Sequence, residues 1–375
     1  MAPHQNIKYR NSGFSLVEIM VGMVISLLSV VIILQVFAAF EGQKRTTTGG
    51  ADAQTNGAIA LFTVERDVRM AGYGFSNPGI LGCVINSYYN GAPLPTFSLA
   101  PVTITNGAGG LPDSISILAS SKGSGSLPAR ITSSLPPVAA PFDLNTNLGI
   151  AVNDLLIAFQ PGLPCTLLQV TNIPPGSTTK IDHQGGSQSL WNPTGIDATN
   201  LYPPGGYTNR AMLFNLGQVI NHTYSLDAQN NLLFTDYSSQ TNTSVVQSLM
   251  PDIVNMQAQY GFDRRVGPQT DAQVSANGWQ DNMIDADGDG VVGNPGDIAR
   301  IYGVRLAVVA RSGQQEKVNP ASGLCDTTTT APTWLDGTAI DVSRHPDGTA
   351  NADWKCYRYK TFETIIPLRN LIWRE

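Results

Sequence analysis

The sequence predicts an α+β fold, in which one long amino-terminal helix precedes an antiparallel, β-rich domain with large loop insertions. Three observations predict it. An apolar run from Ile19 to Phe40 is followed by helical spacing as far as Gly72; short apolar segments of strand length recur towards the carboxyl terminus; and the stretches between them are rich in Gly, Pro, Ser and Thr. No internal repeat is evident.

The apolar run has the length a bilayer asks for, since roughly 20 helical residues rising about 1.5 Å each cross about 30 Å of hydrocarbon. Ahead of it, residues 1–13 form a polar leader with Lys8 and Arg10 and no acid, which the positive-inside bias holds in the cytoplasm. Everything beyond Phe40 then faces the other side. Glu18 is the anomaly, because an acid in such a segment costs about 3 kcal/mol at mid-membrane and less near the interface. One compensation is its own first helical turn, where the helix dipole favours a carboxylate. Another starts from Gly13-Phe14: cutting that peptide bond creates an ammonium at Phe14. Opposite charges about 4 Å apart attract by about 4 kcal/mol at an effective dielectric near 20, before desolvation is subtracted. The two groups meet poorly within one helix start and well between staggered helices, so the pair would set the axial register of neighbouring subunits. Gly22 and Ser26 add a small-xxx-small pair that admits a close helix neighbour.

Gly13-Phe14-Ser15-Leu16-Val17-Glu18 resembles the cleavage and methylation motif of type IV prepilins. The resemblance implies that a prepilin peptidase cuts after Gly13 and N-methylates Phe14, that Glu18 is the assembly glutamate, and that the fold is pilin-like. The segment Ala60 to Tyr73 resembles the end of the long helix in minor pilins of the PilW family, and a weaker likeness continues through Tyr302 to Ser312. It implies a single-pass inner-membrane subunit, amino terminus cytoplasmic before processing, that joins other minor and major pilins through the inner-membrane assembly platform. Such a subunit helps initiate a pilus and sits at its tip beneath an adhesin, in the service of cell adhesion and twitching motility. The helix lacks the midway proline of many major pilins, which suits a minor subunit. Residues 1–13 are then the leader, 14–40 the transmembrane and fibre-core helix, 41–72 its amphipathic continuation, and 73–375 the periplasmic or extracellular domain. Two alternatives stay open: a minor pseudopilin of type II secretion, and a membrane-tethered surface adhesin whose helix never polymerises. A secretory signal cut after Ala38-Ala39 fits less well, since signal cores run to roughly 7–15 residues.

Along the chain, Gly49-Gly50 is expected to loosen or bend the helix. Helical spacing resumes with Ile59, Phe62, Arg66 and Arg69 on one side and Leu61, Val64, Val68 and Ala71 adjacent, a half-buried helix stopped by Gly72-Tyr73-Gly74. From Phe75 to Asn153 the composition predicts mostly loop and edge, free to vary without upsetting the core, with one strand at Ser114 to Ala119. Strands come next at Leu155 to Phe159, Thr166 to Val170, Met212 to Leu216, Thr223 to Leu226 and Leu232 to Thr235, the last two joined by a hairpin loop at Asp227 to Asn231. Between Val245 and Tyr260 a short helix is expected before Pro251, then a strand from Gln257 to Phe262. Tyr302 to Ala310 and Phe362 to Leu368 are the strongest late strands.

With 42% hydrophobic and only 13% charged residues over 375 positions, the chain can bury a sizeable core. Removing Lys8 and Arg10 with the leader takes its formal charge from −6 to −8, which argues against nucleic-acid binding. Four cysteines in an exported chain point to disulfides, for which three pairings exist. Cys83 with Cys165 and Cys325 with Cys356 is the expected set, because each pair brackets a Pro/Gly/Thr-rich loop region that gains from closure. A zinc site would want C-x-x-C or clustered histidines, and the sequence has neither.

One ligand motif stands out. Asp285-Ala286-Asp287-Gly288-Asp289-Gly290-Val291 matches the first half of a calcium loop, with oxygens at alternate positions and a glycine for the turn. Asp285, Asp287 and Asp289 would supply carboxylates and Val291 its carbonyl. Gly296 stands where the bidentate acid belongs, so Asp297 is expected to serve through one extra residue accommodated by Gly293, Pro295 and Gly296. Against this stands an acidic solvated turn without an ion. An enzyme is not expected: His4 leaves with the leader, His183, His222 and His345 stand apart, no hydrolase, zinc-protease or P-loop motif occurs, and Gly123-Ser124-Gly125-Ser126 reads as loop.

Overall fold

The computed structural model describes residues 13–75, 77, 79–123, 127–133, 141–267 and 271–372. Residues 1–12 of the leader, with His4, Lys8 and Arg10, and residues 124–126 of the Gly-Ser stretch lie outside the described residues.

A single helix, Leu16–Val68, runs for 53 residues, or about 80 Å at the usual rise. It passes through Gly49-Gly50 unbroken, contrary to the expected bend. Tertiary contact explains this: a Cβ placed on Gly49 would lie 3.1 Å from the Ser312 Cβ, so the helix is held against the domain where it would otherwise be weakest. The buried stripe is Gly49, Ala53, Gly57, Ala60, Val64 and Val68, whereas Ile59 and Phe62 are exposed. Of the two adjacent sides of the expected half-buried helix, the one with Val64, Val68 and Ala71 faces inward, and the stripe is continued towards the amino terminus by small residues. Arg69 caps the helix, and positive-φ Gly72 and Gly74 turn the chain as expected.

The helix packs on the two long strands Ile301–Arg311 and Tyr359–Pro367 of an antiparallel four-stranded sheet whose order is Trp279–Gln280, Ile253–Phe262, Ile301–Arg311, Tyr359–Pro367. Val304, Leu306, Val308 and Ala310 join the helix in the main core, whose members range from Ala53 to Leu371. The opposite face is covered by the long loop after Arg311: Ala307 and Val309 pack with Trp334, Ile340 and Val342. Arg305 clamps that loop, its Nε 2.5 Å from Glu363 Oε1, its Nη1 2.8 Å from Asp336 Oδ2, and its guanidinium 4.4 Å from the centroid of the Trp334 ring.

A second, five-stranded antiparallel sheet has the order Thr243–Met250, Leu232–Ser238, Ile220–Leu226, Ser114–Ala119, Val102–Thr105. Its hairpin at 227–231 is tied by the Asp227 carboxylate, which accepts from the backbone N–H of Gln229 and Asn231, with Asn230 at φ 64°. A six-stranded sheet completes the domain, in the order Phe97–Ser98, Val84–Asn86, Cys165–Gln169, Leu155–Phe159, Met212–Gly217, Ala129–Arg130, with one parallel pairing between Val84–Asn86 and Cys165–Gln169.

Two expectations are corrected. The segment before Pro251 is a strand, Thr243–Met250, not a helix, because its β-branched Val245 and Val246 complete a ladder with Leu232–Ser238 and Pro251 falls in the turn just after it. The stretch from Phe75 to Asn153 is not dispensable loop. Phe75, Ile80, Leu81, Ile85 and Leu99 are fully buried, each worth about 1.5–3 kcal/mol by area burial, and several short strands join both outer sheets.

The stripe of small residues makes a direct prediction. A Cβ on Gly57 would come within 2.2 Å of the Phe362 ring, so Gly57→Leu should destabilise the domain by about 1–3 kcal/mol or more through overpacking. Gly50 has open space around its Cβ position, and Gly50→Ala should stabilise by up to about 1 kcal/mol through helix propensity. Thermal unfolding of the detergent-solubilised chain compares the two.

Candidate functional site

Phe14 is 84% exposed at the head of the helix, and the apolar side chains from Leu16 to Phe40 are exposed on every side. Such a surface needs lipid or other helices around it. Ser15 is the N-cap. Its hydroxyl accepts from the Glu18 backbone N–H at 3.2 Å while Glu18 Oε2 accepts from the Ser15 N–H at 3.1 Å, a reciprocal capping box. The sequence therefore gives Glu18 a partner within its own chain, and the charge is held at the positive end of the helix dipole.

The acidic loop brings three of its expected ligands together. One carboxylate oxygen from each of Asp285, Asp287 and Asp289 lies within 4.8 Å of the others. Burial opposes ionisation of Asp285, but the N–H groups of Gly290, Gly288 and Asp289 more than offset it and hold the carboxyl below its ordinary range. The Val291 N–H donates to Asp289 Oδ1 at 2.8 Å.

Asp297 does not join them, which corrects its expected role. It is buried, and its two oxygens accept from four backbone amides: Ala286 and Asp287 on one, Gly293 and Asn294 on the other. It also closes the capping box of the short helix Pro295–Ile298. Asp297 thus ties the two ends of the loop together as a backbone anchor. Gly296 has a positive reason to be glycine, since a Cβ there would sit 1.7 Å from Asp287 Oδ2. Asn294, which the sequence pattern did not single out, donates to Asp289 Oδ2 at 2.7 Å and caps the helix as well.

The cysteines pair as expected, Cys83 with Cys165 and Cys325 with Cys356, at Cα separations of 6.0 and 4.8 Å. In the chain-entropy account, closing loops of 82 and 31 residues contributes about 4–5 and about 3–4 kcal/mol.

Sequence reasoning also missed a charged cluster where the helix ends against the sheet. The Asp67 Oδ2 accepts from the Tyr224 hydroxyl at 2.6 Å and lies 2.8 Å from His222 Nδ1, while His222 Nε2 is 3.6 Å from Asp236. Asp67 and His222 are 155 residues apart in the chain, and only the fold sets them opposite each other. A base held by an acid could activate a nucleophile, but the hydroxyl here points at the acid and serves docking. A groove of about 550 Å³ beside the same sheet is lined by Thr103, Ser116, Thr223, Asn221, Phe97 and Ile298 among others, a hydroxyl and apolar lining.

Comparison with protein families gives two matches. Residues 8–34 match the prokaryotic N-terminal methylation motif, and residues 219–370 match type IV pilus-assembly protein W. The chain thus matches a PilW-family pilin with a prepilin-type motif. The two matches are joined by the long helix, which begins in the first and, from Gly49 to Val68, packs on the sheet supplied by the second. The methylation motif implies peptidase processing, and the family implies other pilins as partners. The exposed apolar helix fits a membrane-anchored pilin. No curated protein and no solved structure matches the chain.

The Asp67 contact carries a pH dependence of stability. Burial pushes its carboxyl up, and the hydrogen bonds from His222 and Tyr224, with the charge of Arg66, outweigh that and leave it below the ordinary value. A depressed folded-state value contributes stability that is present above the unfolded value of about 4 and lost as pH falls through the folded one. Urea unfolding between neutral and strongly acidic pH should show that loss in the parent chain, and Asp67→Asn should be less stable at neutral pH with a flatter acid limb.

Proposed function

We propose that this chain is a minor pilin, a structural rather than enzymatic subunit that helps initiate assembly of a type IV pilus and sits in its tip complex. The observation that carries the reading is the continuity of one 53-residue helix from the processing motif to the PilW-matching sheet. On this reading a prepilin peptidase cuts after Gly13 at the inner membrane, and the methylated Phe14 ammonium of one subunit meets Glu18 of the next. The capping box holds Glu18 ready at the helix head, and transfer of its carboxylate from the Ser15 N–H to a neighbouring ammonium exchanges a neutral donor for a cationic one. The apolar helix then leaves lipid for the helix core of the fibre, and the domain makes lateral contacts with other pilins and, at the tip, with an adhesin.

The acidic loop suits a hard divalent cation, for which we propose calcium. Asp285, Asp287 and Asp289 would hold it with the Val291 carbonyl, and water would complete the six to eight oxygens calcium takes. Asp297 would hold the loop closed through its four amides and stay out of the coordination shell. The ion would offset two of the three close negative charges and stiffen the loop.

Two experiments test these readings. Glu18→Ala should reduce pili to near background where this subunit is needed for initiation, with the chain still processed to Phe14 and retained in the membrane; mass spectrometry of sheared fibres reads both, and normal piliation would overturn the role. Calcium at about 100 times its dissociation constant should stabilise the folded chain by about 2.7 kcal/mol, seen as a rise in Tm. Asp287→Asn should abolish that rise, whereas an unchanged parent Tm would remove calcium.

A further inference from the structure

The long loop after Arg311 comes back along the helix towards its apolar half. Gly49 faces Ser312, the Thr46 hydroxyl donates to Glu316 Oε2 at 3.1 Å, and the Lys317 ammonium lies 3.5 Å from the Ala38 carbonyl. Glu316 is fixed from the other side by Arg358, at 2.9 Å. From Gly49 to Ala38 these contacts track the helix for about 16 Å, to the end of the apolar run.

Ala38 marks a definite depth. Twenty-four residues separate it from Phe14, about 36 Å of helix, slightly more than a hydrocarbon core about 30 Å thick. With Phe14 at one interface, Ala38 is at the other. The segment after Lys317 suits that level: residues 318–324 carry no charge, Val318 is 50% and Leu324 is 69% exposed, and the turn satisfies its own backbone, with Asn319 exchanging bonds with Gly323 and Leu324. Exposed Lys44 and Arg45 stand on the helix just beyond Phe40, partly balanced by Glu41.

We propose that the 317–324 turn is a membrane-interface contact, occupied by an anionic phospholipid surface while the subunit waits in the bilayer. Lys317 meets lipid phosphate, joined by Lys44 and Arg45, and Val318 and Leu324 enter the headgroup–acyl boundary. The chain as a whole is acidic, so this basic spot beside exposed apolar side chains is distinct from the rest of its charge. The contact fixes how deeply the helix sits and must be released when the subunit moves into a fibre. It rests on the reading of residues 14–40 as the membrane span.

The test uses the full chain in nanodiscs containing anionic phospholipid brominated in its acyl chains, with two added tryptophans. Phe37→Trp reports the span and Leu324→Trp reports the turn, each read as emission above that of the parent chain. Both should lose most of their added emission, and Lys317→Gln in the Leu324→Trp background, or replacement of the anionic lipid by a zwitterionic one, should weaken quenching at 324 while leaving 37 unchanged. Quenching at 37 with none at 324 overturns the contact and leaves the span intact. No quenching at either overturns the span and the contact together. Quenching at 324 that is indifferent to both Lys317→Gln and lipid charge overturns the role of lipid phosphate.

Discussion

The fold depends on how closely the long helix approaches the four-stranded sheet. Gly49, Ala53, Gly57 and Ala60 leave no side-chain bulk along the buried stripe, and the Phe362 ring and Ser312 occupy the space so freed. Two helix-weakening glycines persist because packing against the sheet replaces what local propensity lacks. The same contact decides which side chains turn outward: Ile59 and Phe62 stay exposed because the small residues claim the inner face.

From that contact the rest of the domain is built in layers. Ile301–Arg311 is buried on both faces, by the helix on one side and by the Trp334 loop on the other. The loop has little secondary structure, so disulfide Cys325–Cys356 and the Arg305 clamp hold it where a strand ladder would otherwise do so. Asp67 fastens the end of the helix to the second sheet through His222 and Tyr224. Among the described residues the apolar amino-terminal half has no comparable side-chain partner; its contact with the domain is the Lys317 ammonium at the Ala38 carbonyl.

The two acidic sites show carboxylates used in opposite ways. Glu18 is exposed and shares a hydrogen bond it can exchange, whereas Asp297 is buried and saturated by four amides. Adjacent aspartates in the same loop converge with the exposed face open to solvent, so charge there can be balanced from outside. Position in the fold, not residue type, separates these roles.

The sequence by itself determined what repeats locally: the apolar run and its acid, the long helix, most of the ladder strands, the hairpin at Asp227 to Asn231 and the Asp285-Asp287-Asp289 cluster. These come from composition, period and turn chemistry over a few residues, and the processing motif is likewise contiguous. Only the tertiary structure decided which side of the helix is buried, that Thr243–Met250 is a strand, that Phe75 to Leu99 supplies core, that Asp297 anchors backbone instead of joining its neighbours, and that Lys317 lies beside Ala38. Each depends on a partner far away in the chain, such as Phe362 for Gly57 or Leu232–Ser238 for Val245, and neither propensity nor spacing specifies which distant surface a segment will meet.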